Sequence, residues 1–119
     1  MLKIDIILDT EENFTRDSSF NGDRGDTELI LHKVSAYITT QKYCDFEIDA
    51  NIGDPIIVLI EYYSDGDTFG SHESMDVKGV FKTLDEAEKF SKTINKASGY
   101  FTDHIDFLFE TAIIKDSKR

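Results

Sequence analysis

Ile56-Ile57-Val58-Leu59-Ile60-Glu61-Tyr62-Tyr63 is an apolar run interrupted only by Glu61. Apolar side chains on successive residues imply a strand covered on both faces, so this stretch is read as the central strand of a sheet. Upstream of it, residues 51–55 hold Gly53, Asp54 and the chain's only proline, and read as a turn. Before that turn, residues 44–50 alternate Phe46, Ile48 and Ala50 with Asp45, Glu47 and Asp49, the period-2 pattern of a shorter strand or edge.

Working further outward, residues 28–40 place Ile30, Val34, Ala36 and Ile38 on one parity and Leu29, Leu31 and Tyr37 on the other. A strand buried on much of both faces is expected there. Leu2, Ile4, Ile6 and Leu8 alternate with polar residues apart from Ile7, marking a half-buried first strand. The polar stretch between these two reads as a long surface loop over 10–27, with Phe14 and Phe20 pinning it to the body.

Downstream of the central run, residues 64–76 read as a second, acidic loop, and residues 77–82 as the strand returning from it. Thr83 and Glu86 have the spacing of a capping box, and Leu84, Ala87, Phe90, Ile94 and Ala97 recur at helical intervals. This predicts one helix over 84–98, closed by Gly99. Residues 105–114 give a last strand covered on both faces. The expectation is one α+β domain over 1–119: a mainly antiparallel sheet of five or six strands with the helix packed on it. At 119 residues, 39% hydrophobic and 31% charged, the chain has the composition of one globular domain.

Charge is the most informative feature. Thirteen Lys and Arg against 24 Asp and Glu give a formal net charge of -11, which opposes docking onto nucleic acid or an anionic membrane and favours a basic partner. Residues 43–77 carry nine acids and no Lys or Arg. Asp45, Glu47 and Asp49 would project from a strand at steps of ~6.6 Å, from a rise of about 3.3 Å per residue. That repeat is close to the spacing of successive phosphates, so such a row can enter an Arg/Lys groove built for a polyanion. Together with Asp54, Asp65, Asp67, Phe69, Glu73 and Asp76, it forms the expected partner-binding face.

Other chemistry is poorly supported. The window 65–76 matches a calcium loop in part, with acids at positions 1, 3, 9 and 12 and Gly70 at 6, but Phe69 stands where an oxygen ligand is needed. No metal or cofactor is expected. His32, His72 and His104 are scattered, and no nucleophile elbow or phosphate-cradling glycine motif occurs, so no catalytic residue is expected either. Cys44 has no second cysteine to pair with, which fits a reducing compartment. The first residues lack the uninterrupted apolar stretch of a signal peptide, and a cytoplasmic location in a host cell is expected.

Tyr63-Ser64-Asp65-Gly66-Asp67-Thr68-Phe69-Gly70, followed by Val77-Lys78-Gly79-Val80-Phe81-Lys82-Thr83-Leu84-Asp85-Glu86-Ala87, resembles small acidic phage-type proteins with a Y-S-x-G-D-T-F-G loop. The resemblance covers about a quarter of the chain and implies a phage setting. Acidic phage proteins of this size look like inhibitors of host defence, anti-CRISPR and anti-restriction proteins among them. The resulting expectation is a non-enzymatic inhibitor that binds a basic effector, a CRISPR-associated or other nuclease, with no direct nucleic-acid contact. The alternative is a nucleotide-like ligand binder in which Gly66 and Gly70 present backbone amides and Phe69 stacks on a base. A structural subunit is a third reading, with strands 28–40 and 105–114 as homodimer edges.

Overall fold

A computed structural model describes residues 1–16, 25–67, 70–94 and 103–116. The elements are β1 (Leu2–Arg16), β2 (Gly25–Ile38), β3 (Phe46–Ile48), β4 (Pro55–Asp67), β5 (Gly70–Phe81), α1 (Leu84–Ser91) and β6 (Asp103–Lys115). β4 is central, antiparallel to β5 on one edge and to β6 on the other. Its even-numbered Ile56, Val58 and Ile60 are fully buried in the main core. Leu59, on the opposite face, is also fully buried, and α1 packs on that side against β4, β5 and β6. Apolar residues on both faces are therefore required.

The helix starts where the sequence places it. Thr83 caps it, its hydroxyl accepting from the Glu86 amide at 3.2 Å. It ends at Ser91 rather than at 98, with Ala87 and Ser91 as its buried residues. Residues 95–102, Ala97 and Gly99 included, lie outside the described residues. A β-carbon on Gly79 would sit 2.9 Å from the Phe81 ring. Glycine thus lets that ring fold back over β5 and meet Phe90 of α1, with centroids 5.3 Å apart.

β1 and β2 pair antiparallel from Ile4↔Ile38 to Arg16↔Gly25, with one irregularity. Asp9 faces Lys33 but Thr10 faces Leu31, so His32 is an extra residue on β2. The bulge reverses parity, and Leu31 packs on the same core as Val34, Ala36 and Ile38. The mixed parity of residues 28–40 reflects this phase change, and Ser35 beside Ala36 is also buried, so β2 is covered on both faces there. β5 has the same device. Leu59 faces Gly79 and Ile60 faces Val77, leaving Lys78 extra, so that Val80, Val77 and Met75 all point to the core.

The edge of β2 away from β1 meets β5 at Gly25–Asp26 and β6 at Ala36–Tyr37, both in parallel. Since β5 and β6 flank β4 on opposite sides, β2 crosses the face of β4 between them. β3 pairs with β1 over Leu2–Ile4 and also contacts β5. The result is a single domain of six mixed strands, nearly barrel-shaped, with one short helix. The long pairings are antiparallel, as expected, and two short parallel contacts of β2 add the barrel-like closure that the sequence did not signal. On its side away from β1, β2 is paired, among the described residues, only at these two ends.

The two long loops are also corrected. Residues 10–16 and 25–27 belong to β1 and β2, and residues 64–67 and 70–76 belong to β4 and β5. Polar composition suggested loops, but ladder pairing between hairpin arms satisfies backbone groups whatever the side chains are. Residues 17–24, Phe20 included, lie outside the described residues.

Candidate functional site

β3 is only three residues long, yet the alternation around it holds: Phe46 and Ile48 face the core, while Asp45, Glu47 and Asp49 are exposed. The inward pair locks the strand to β1 and orients all three carboxylates outward. Among the described residues none of the three makes an ion pair. Tyr43, 82% exposed, and Ile52, 51% exposed, flank the row in sequence.

The other acids are placed differently. Asp54 closes the turn at the start of β4: its carboxylate accepts from the Asn51 amide at 2.9 Å, and its own amide donates to the Asn51 carbonyl at 3.0 Å. The same turn bonds β6, through Gly53 N–H to the Ile114 carbonyl and Ile114 N–H to the Asp54 carbonyl. Gly53 has φ +95°, which glycine adopts without strain. Asp54→Ala is therefore expected to lower stability by about 1–2 kcal/mol, read as a lower denaturant midpoint, because the Asn51 amide loses its charged acceptor.

Glu73 turns inward. One of its carboxylate oxygens accepts from the Leu29 amide of β2 at 2.8 Å and also from the Tyr62 hydroxyl of β4. It bridges the gap where β2 crosses β4, and it is not presented to a partner. Asp76 is exposed and faces Glu61 directly across the β4–β5 ladder. Two facing carboxylates repel, and the bulge residue Lys78 lies between them, 3.2 Å from Asp76 and 3.9 Å from Glu61. Sequence reasoning missed Lys78 because it stands one residue beyond the acid-only stretch. It missed Tyr62 because an aromatic in a central strand reads as core.

Asp65 and Asp67 lie on the outer part of β4, twelve residue steps from Pro55 to Asp67, or ~40 Å at about 3.3 Å each. Asp54 and Asp67 are therefore at opposite ends of one strand, and the nine acids do not form a single rim. Phe69 lies outside the described residues. Backbone at 66–67 and 70–71 is engaged in the β4–β5 ladder, and 70–71 also pairs with β2, so it does not form an open cradle of amides. A calcium loop over 65–76 is likewise replaced by paired strands. Among the described residues no group of three or more His, Cys, Asp or Glu side chains converges to hold a metal ion.

No family model, no curated protein and no solved structure matches the chain. Among the described residues, no helix is long and apolar enough to cross a membrane.

Proposed function

We propose that this protein is a non-enzymatic, phage-type inhibitor of a host defence system, anti-CRISPR-like, which occupies a basic, nucleic-acid-binding surface of an effector protein. The observation that carries the reading is the row Asp45, Glu47 and Asp49, held outward by the inward anchors Phe46 and Ile48. Asp54 and Glu73 are committed to internal hydrogen bonds, and Asp76 shares Lys78 with Glu61. The β3 row is accordingly the principal face. A row of carboxylates, with a net charge of -11 behind it, steers association with a cationic groove and offers no scissile bond. Exposed Tyr43 supplies an aromatic contact of the kind that anchors protein interfaces.

The test is capture of the effector from host lysate at low salt, followed by titration of the purified pair. Replacing Asp45, Glu47 and Asp49 together by Lys should weaken the complex by about a hundredfold or more at low salt and flatten its salt dependence. All three side chains are exposed, so the variant's melting curve should stay close to the parent's. Unchanged affinity in the triple variant would remove this face from the mechanism.

A further inference from the structure

β3 covers the outer edge of β1 only at Leu2–Ile4, and among the described residues no strand pairs with that edge further along. The phase of the ladder identifies the groups left open. The Thr39 amide donates to the Lys3 carbonyl at 2.9 Å, so odd-numbered residues of β1 turn their backbone groups toward β2. Leu29 faces Glu12 in register but sends its amide to Glu73, so the same phase persists beyond the bulge. Ile6, Leu8, Thr10 and Glu12 therefore direct N–H and C=O away from β2.

Such an edge is a template for another strand, and proteins usually blunt it with charged side chains, proline, a bulge or a short strand. Here the charge on the edge is of one sign, because residues 4–15 contain four acids and no Lys, Arg or Pro, so it guards against a like-charged strand and not against a basic one. On β2, Lys33 faces Asp9 and His32 contacts Glu11 at 2.9 Å. A second copy of the chain would set the same four acids against this edge, and like charges on facing strands are unfavourable. Beyond the line of β3 the open edge begins beside Asp45, because Phe46 pairs with Ile4. The acidic row and the open backbone edge are thus collinear.

We infer that the β1 edge from Ile6 to Glu12 docks an extended, lysine- or arginine-bearing segment of the partner protein as an added strand, continuing the line of β3. This inference rests on the reading that the protein engages a basic partner, and it specifies how. Main-chain hydrogen bonds supply the pairing, and the flanking acids select a basic sequence.

The test uses two nine-residue probes of equal charge, one alternating Lys and Val, the other alternating Lys and Pro, with the whole protein labelled for amide NMR at low salt. The Lys-Val probe should slow exchange of the Leu8 and Thr10 amides by about tenfold or more, since each gains a ladder partner. The Lys-Pro probe, lacking half its donors, should not. Thr10→Pro removes a donor only from the open edge and should weaken the Lys-Val probe about tenfold while Lys-Pro binding stays constant. Equal binding of both probes without amide protection overturns the added strand and leaves the acidic-face reading standing. Failure of both probes to bind overturns the two together. Protection at these amides that rises with protein concentration alone, without a probe, assigns the edge to a second copy and overturns the inference.

Discussion

Deleting His32 should unfold much of the barrel, although the residue is half exposed and its polar contact is with the exposed Glu11. The bulge puts Leu31 on the same face as Val34, Ala36 and Ile38. Without the extra residue, one group must turn to solvent, or the β1–β2 ladder must slip by one position. If Val34, Ala36 and Ile38 turn outward, the Ala36–Tyr37 contact with β6 goes with them. Exposing a buried aliphatic side chain costs about 1.5–3 kcal/mol, so the loss should be about 4 kcal/mol or more. Against a total of about 5–15 kcal/mol that is severe. A fall in Tm of about 15 °C, or no cooperative transition, is expected in a thermal melt. His32→Ala keeps the bulge and should cost less than about 1 kcal/mol. A deletion variant that melts with the parent would show that the bulge does not set the phase of the core.

Glu73→Ala should be the most damaging single substitution among the acids. Its carboxylate accepts from both Leu29 N–H and Tyr62 O–H, and the Leu29 amide lies in the part of β2 between its contacts with β5 and β6. Hydrogen bonds to a charged acceptor contribute about 1.5–3 kcal/mol each, and stranding a part-buried donor adds its desolvation cost. A loss of about 2–4 kcal/mol by chemical denaturation is expected. Glu73→Gln retains an acceptor and should lose about half as much. Tyr62→Phe should cost about 1–2 kcal/mol, and the double variant should fall short of additivity by about 1 kcal/mol, because both changes remove the same contact. If Glu73→Ala unfolds within about 0.5 kcal/mol of the parent, the carboxylate does not close the gap between β2 and β4.

These two residues show why an acid count misleads. In sequence, Glu73 belongs to the same negative stretch as Asp45, Glu47 and Asp49. In the fold it is an internal clasp, while the β3 row is an exterior surface. Lys78, outside that stretch, reaches back to two of its members. The net charge of -11 is a property of the sequence, but the fold decides which acids of that stretch face outward.

What the sequence determined by itself is what local stereochemistry controls. Side chains alternate across a strand, so the outward direction of Asp45, Glu47 and Asp49 and the inward direction of Leu2, Ile4, Ile6 and Leu8 were legible from period alone. The two-sided burial of β4 was legible from its apolar run, and the start of α1 from Thr83 and Glu86. What only the tertiary structure decided involves residues far apart in the chain. The phase changes at His32 and Lys78 depend on which strand lies opposite. The crossing of β2 over β4, its parallel contacts with β5 and β6, and the inward turn of Glu73 toward an amide 44 residues away all require a partner that no local pattern names. Direction is set by the backbone of a few residues, whereas pairing is set by how the whole chain closes around Ile56, Val58 and Ile60.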